Sequence, residues 1–172
     1  MDDDHIDYAH PDDLPRHLGD DVRETLENIL EHENTYLGWD RETGKVSESL
    51  CDFIHKLKDN PEKLIILGNG KQRKSYLHVE ETVKAILASW KSSDTIFNIG
   101  SEDTIDVDGI ADIVAEEMSL EPEYEYTGGE KGWDGDVPEM RLSIEKLKSE
   151  GWKPSRNSSE SVRKTVRELL KN

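Results

Sequence analysis

Apolar positions along the chain recur at helical spacing in some stretches and as short alternating blocks in others. Val22, Leu26, Ile29 and Leu30 share one face, and the opening Asp21-Val22-Arg23-Glu24 reads as a capping box, which predicts a short helix. Leu50, Phe53, Ile54 and Leu57 predict a second helix that begins near Ser47 and stops before Pro61. Leu64–Leu67 reads as a buried strand followed by a Gly68-Asn69-Gly70 turn. Ser75–Val79 reads as extended and runs into a helix with Val79, Val83, Ile86, Leu87 and Trp90 on one stripe. Thr95–Ile99 predicts a strand ended by Gly100, and Asp106 is placed to cap a helix carrying Val107, Ile110, Ile113, Val114 and Met118. Glu123–Tyr126 predicts a strand before a glycine-rich loop, and helices over Ile144–Glu150 and Ser159–Leu170 close the chain. Short strands alternating with five to six helices define an α/β fold, and no internal repeat is present.

Charge divides the chain. Residues 1–50 hold 15 acids and 4 bases, whereas residues 51–172 hold 24 acids and 18 bases, for a total of −17. Residues 1–19 carry six Asp and two Pro with few apolar side chains, as expected of a solvated leader. The predicted organisation is an acidic, partly disordered N-terminal segment over 1–46 with one short helix, then a globular domain over 47–172. Deleting residues 1–19 is expected to leave the melting temperature nearly unchanged. A loss of several degrees would show that the leader packs on the core.

The same numbers exclude function classes. The longest aliphatic run, Leu64–Leu67, is far short of a membrane span, and Met1-Asp2-Asp3-Asp4 lacks the basic and apolar parts of a signal peptide. Nucleic acid is not expected as a partner of so acidic a chain. One cysteine, Cys51, excludes an intrachain disulfide and fits a reducing, cytoplasmic setting, where it reads as an inert core thiol. His5, His10 and His17 lie among aspartates, but Pro11 and Pro15 break any helical register between them, so no metal site is expected.

Two glycine motifs are decoys. Gly129, Gly132 and Gly135 have the spacing of a dinucleotide-binding turn, which works only between a strand and a helix N-terminus. Asp136-Val137-Pro138 comes next here, with no amphipathic helix. Gly68-Asn69-Gly70-Lys71 has the wrong glycine spacing for a phosphate loop, and no Ser or Thr comes after the lysine.

Four stretches carry a resemblance. They are Ile66-Leu67-Gly68-Asn69-Gly70-Lys71-Gln72-Arg73-Lys74-Ser75-Tyr76-Leu77-His78-Val79-Glu80-Glu81, Ile96-Phe97-Asn98-Ile99-Gly100-Ser101, Gly132-Trp133-Asp134-Gly135-Asp136-Val137-Pro138, and Leu147-Lys148-Ser149-Glu150-Gly151-Trp152-Lys153-Pro154. In this order, from about Ser49 to Leu170, they resemble the C-terminal, substrate-binding part of NAD-dependent nucleotide-sugar epimerases and dehydratases. That is the extended short-chain dehydrogenase/reductase family, here most like its UDP-glucose 4-epimerase branch. The resemblance implies a partial fold of that family without the N-terminal Rossmann half that holds NAD. It also implies a nucleotide-diphosphate sugar, with UDP-hexose first, as ligand. Ile65 and Leu67 would line the base pocket, and Lys74, with Arg73 beside it, would stand where the family has a phosphate-binding arginine. Asp136 would meet a ribose hydroxyl. Trp133 replaces a further arginine, whose charge Lys131 could supply. Trp133 and Trp152 themselves read as packing residues, and His78 as a structural hydrogen-bonder.

The family's catalytic pair is Tyr-x-x-x-Lys. None of the five tyrosines, Tyr8, Tyr36, Tyr76, Tyr124 and Tyr126, has lysine four residues on. A phenol needs a neighbouring cation to act as a base near neutral pH. The expectation is therefore a substrate-binding part that binds no cofactor and turns nothing over alone. Its partner would be a separate cofactor-domain chain or a second copy. Two other readings stay open: a non-catalytic binding or assembly module, and a truncated product whose cofactor half is encoded upstream.

Overall fold

The computed structural model describes residues 50–90, 92–93, 96–132 and 136–171. The expected leader and helix over 1–46, the three N-terminal histidines, Trp133 and the Cys51 side chain lie outside what it describes. The elements in chain order are α1 (Leu50–Asp59), β1 (Lys63–Ile66), β2 (Arg73–Lys74), α2 (Val79–Ser89), β3 (Ile105–Asp106), α3 (Val107–Met118), β4 (Glu123–Tyr126), β5 (Glu139–Met140), α4 (Glu145–Ser149) and α5 (Ser158–Lys171). Among the described residues there are thus five helices and five short strands.

The strands form two small sheets. β1 pairs in parallel with β4, Lys63 opposite Glu123 through Ile66 opposite Tyr126. β2 lies between β3, to which it is antiparallel, and β5, to which it is parallel. A parallel pair needs a long crossover, and here α2 and α3 supply it between β1 and β4.

Helix boundaries arise from local chemistry. α1 buries Phe53, Ile54 and Leu57 and ends ahead of Pro61, whose nitrogen has no hydrogen to continue the ladder. Asp106 caps α3 by accepting the Gly109 N–H at 2.9 Å. At the far end Ser119 turns left-handed, with φ 57°, and Leu120 N–H returns to the Ala115 carbonyl at 2.9 Å. α5 opens on a reciprocal box, in which Asn157 Oδ1 accepts the Glu160 N–H and Glu160 Oε2 accepts the Asn157 N–H.

The main core joins α1, β1, α3 and α5 through Phe53, Leu57, Leu64, Ile66, Val114, Val162 and Val166. A second cluster gathers Ala85 of α2, Ile144, Leu147 of α4 and Trp152, with Leu77, Phe97 and Ile99 partly buried against it. Trp152 is a packing residue, as its place beside Gly151 suggests.

One expected strand is corrected. Residues 96–100 form no strand ladder, although Phe97 and Ile99 turn inward while Ile96 is 76% exposed. The alternation of a strand is present, but among the described residues no neighbouring backbone pairs with it. Side chains take up part of the role instead: Lys146 Nζ donates to the Ile96 carbonyl at 2.7 Å, and Asn98 Nδ2 donates to the Ser143 carbonyl at 3.0 Å.

α2 departs from its apolar pattern. Its buried positions include Glu80 and Glu81, whereas Trp90 at its end is 43% exposed. Both carboxylates meet cations from the far end of the chain. Glu80 pairs with Arg156 at 3.3 Å and Lys164 at 2.6 Å, and Glu81 pairs with Arg156 at 3.2 Å. His78 caps α2 by accepting the Glu80 N–H on Nδ1 at 3.3 Å. Its Nε2 therefore carries the hydrogen and donates to Glu168 of α5 at 2.8 Å. No described helix is long and apolar enough to cross a membrane.

Carboxylates held by hydrogen bonds and cations set the acid limit of this fold. Burial pushes Asp103 up from 3.8, but hydrogen bonds from Ser101 and Ser158 outweigh it and hold the group below that value. Burial likewise pushes Glu81 up, but the Ser155 N–H and Oγ outweigh it and leave the group below 4.5. Glu168 is lowered in the same sense, with Lys164 and His78 outweighing burial. A depressed carboxyl stabilises the fold fully above its unfolded value and ceases to do so as pH falls through the folded one. Stability should therefore be flat above about pH 5 and fall steeply below about pH 4. Thermal melts across that range check this, and a stability that rose on acidification would contradict it.

Candidate functional site

The site builds outward from the end of β1. Ile65 faces out and is 46% exposed, while Leu64 and Ile66 on either side are buried. Leu67 is half-buried, and its carbonyl is approached by Gln72 Nε2 at 3.4 Å. The chain then turns through Gly68 and Gly70, both at φ 75°. A Cβ on Gly68 would run into Gln72 Nε2 and come within 3.0 Å of the Lys131 backbone, so only glycine lets these segments close together. Asn69 Oδ1 accepts the Lys71 N–H at 3.0 Å and tightens the turn into β2.

β2 holds the two basic candidates, and its alternation sends them to different tasks. Arg73 Nε donates to Thr104 Oγ1 at 3.0 Å and Nη2 donates to the Thr104 carbonyl at 2.9 Å. Its Nη1 lies 3.5 Å from Asp106. Lys74 Nζ donates instead to Asp136 Oδ1 at 2.7 Å. Parallel pairing with β5 makes that meeting possible, because Arg73 N–H donates to Pro138 O at 2.7 Å and Ser75 N–H to Met140 O at 3.2 Å. The segment just before β5 is thereby laid beside Lys74.

Asp136 is 4% exposed and well supported. It accepts the Gly132 N–H at 3.2 Å and the Val137 N–H at 2.9 Å. Burial pushes its carboxyl up, but Lys74 and these two N–H groups outweigh it and keep the group below the ordinary aspartate value of 3.8. Lys131 is exposed, with its backbone against Gly68. The structure thus brings Leu67, Lys74, Lys131 and Asp136 into one loop cluster, leaves Ile65 on the adjoining open face of β1, and turns Arg73 toward β3. Gln72, 2% exposed with its Oε1 buried and unpartnered among the described residues, also belongs here. Only its place between Gly70 and Arg73 could have signalled it in the sequence.

Five other basic side chains gather elsewhere. A cleft of about 450 Å³ along α5 is lined by Arg156, Arg163, Lys164, Arg167 and Lys171 with Glu160 and Glu168. Arg163 and Arg167 are paired with Glu116 or Glu117, and Arg156 and Lys164 with Glu80. That cleft is a brace between helices and offers an anion little net charge.

Among the described residues no glycine turn opens a helix that could receive a dinucleotide pyrophosphate: Gly128 and Gly129 are left-handed at φ 83° and 90°, and the next described element is β5. Among the described residues no group of three or more His, Cys, Asp or Glu could hold a metal ion.

Residues 29–100 match the NAD dependent epimerase/dehydratase family, a match that begins upstream of Ser49. A putative UDP-glucose 4-epimerase of Methanocaldococcus jannaschii is 30% identical over 145 residues, which is 84% of this chain and 46% of that protein. The crystal structure of a UDP-galactose 4-epimerase superposes with a TM-score of 0.62 at 40% identity, over 71% of this chain and 40% of that one. The Thermotoga maritima UDP-glucose 4-epimerase, solved with UDP-glucose, gives 0.63 at 25% identity, over 75% and 41%. The chain belongs to the NAD-dependent epimerase/dehydratase family, and its α/β fold is part of that family's fold. It spans less than half the length of these relatives.

Proposed function

We propose that residues 47–172 form the nucleotide-sugar-binding part of an epimerase or dehydratase, with UDP-hexose as ligand. The observation that carries this reading is the Lys74–Asp136 pair, a cation and a buried carboxylate on neighbouring segments beside the Leu67–Gly68 strand end. Charged donors suit a diphosphate, a buried acceptor suits a ribose hydroxyl, and Leu67 with Ile65 offers an apolar strip for the base. Lysine supplies the charge without the planar fork of arginine, so the phosphate grip is weaker than a guanidinium would give. The relative solved with UDP-glucose supports the choice of nucleotide.

Calorimetry should show UDP and UDP-glucose binding that weakens with salt, and no binding of free glucose. Lys74→Ala is expected to cost about 1–3 kcal/mol of UDP affinity, as for a hydrogen bond to a charged group. No UDP binding at millimolar concentration would remove this reading and favour a non-catalytic module.

These 172 residues hold no Tyr-x-x-x-Lys pair, and among the described residues no glycine turn opens a helix. Turnover then needs a cofactor half from elsewhere, whether an upstream segment or a second chain. Mixed with NAD and UDP-glucose, the chain should form no UDP-galactose. Adding a separately expressed cofactor half from a relative should restore it. Product without that addition would defeat the proposal.

A further inference from the structure

We infer that Asp136 masks the charge of Lys74 and so makes the site select a nucleoside diphosphate over a bare diphosphate, an inference that rests on the nucleotide-sugar reading. The two residues suit opposite ends of a ligand, yet they bind each other at 2.7 Å. A cation and a carboxylate in contact form a nearly neutral pair, and a phosphate approaching Lys74 also meets the negative charge of Asp136.

The two partners are not equally free. Asp136 is 4% exposed, and it also accepts the Gly132 N–H on Oδ2 and the Val137 N–H on Oδ1, the oxygen Lys74 holds. Lys74 sits on a flexible four-carbon stem, with about a third of its side chain exposed. The carboxylate is the fixed member, and the lysine is the one that can turn toward a ligand.

A bare diphosphate that draws Lys74 away leaves a buried carboxylate without its cation, which is costly. A nucleoside diphosphate brings ribose hydroxyls that can donate to the vacated oxygen, so both groups stay satisfied. Arg73 does not relieve this requirement, because Thr104 and Asp106 already engage its guanidinium. The overall charge of −17 further disfavours a small anion that offers no compensating contacts.

Calorimetry on the full chain with UDP, uridine and inorganic pyrophosphate tests this. The native chain should bind UDP at least about tenfold more tightly than pyrophosphate. Asp136→Asn should tighten pyrophosphate on the order of tenfold and weaken uridine, collapsing that preference. Asp136→Ser, which keeps an oxygen acceptor for the Gly132 and Val137 N–H groups, is the second variant should the amide fail to fold. Pyrophosphate affinity that is unchanged or lower in both variants overturns the masking. A pyrophosphate gain with no UDP binding by the native chain overturns the nucleotide-sugar reading alone.

Discussion

Replacing Glu81 by alanine is expected to cost about 3–5 kcal/mol of folding stability, the scale for breaking a buried ion pair from one side. Glu81 is 1% exposed, although it stands in a helix whose apolar stripe says nothing of it. Its Oε2 accepts the Ser155 N–H at 2.8 Å, and its Oε1 accepts Ser155 Oγ at 2.9 Å and Arg156 at 3.2 Å. Alanine would take this acceptor from the Ser155 N–H and hydroxyl and leave Arg156 with Glu80 as its remaining α2 carboxylate. Glu81→Gln keeps an acceptor for Ser155 and should cost less. For a domain of this size the alanine variant should melt roughly 10 °C or more below the native chain. A loss of only two or three degrees would mean that Ser155 and Arg156 find water instead.

Gly68→Ala should cost about 2–4 kcal/mol and weaken UDP binding as well. Two effects add. The left-handed backbone at φ 75° disfavours any side chain by roughly 1 kcal/mol. The new methyl would also press on Gln72, which is 2% exposed, and on the Lys131 backbone at 3.0 Å. Overpacking of this kind costs about 1–3 kcal/mol. The Lys131 backbone would have to move, and with it the segment leading to Asp136. Gly128→Ala is the matched control: its φ is 83°, but nothing lies within 4 Å of the added carbon. It should lose only the backbone part and bind UDP normally. Equal losses in the two variants would show that closeness at Gly68 does not matter.

These sites differ in how far sequence could anticipate them. The Asp106 cap and the Phe53–Leu57 stripe were legible because a cap and a helical face are each decided within one or two turns. Glu123–Tyr126 was legible as a strand for the same local reason. The burial of Glu80 and Glu81 was not, because the cations that permit it lie on the loop before α5 and on α5 itself. β2, β3 and β5 have two residues each, too few to show any period. Thr95–Ile99 has a strand's alternation, but a ladder also requires a neighbour, and that is not written in the segment itself. For the proposed site, the resemblance singles out Lys74 and Asp136 separately. That they would seize each other depends on the β2–β5 pairing, which no local pattern encodes.

The parallel ladder between β1 and β4 also fixes an order of events during synthesis. β1 emerges early, yet every backbone partner it has in that ladder belongs to β4, made only after α2 and α3. Translation proceeds from the N-terminus at about 5–20 residues per second, so Leu64 and Ile66 spend seconds without their ladder. Closing so distant a contact must wait until the entropy of a long loop can be offset by packing. α1 and α3 can meet across the nascent core before that ladder zips. The strand end at Leu67 and its glycine turn therefore acquire their final geometry late, once the ribosome has passed Tyr126.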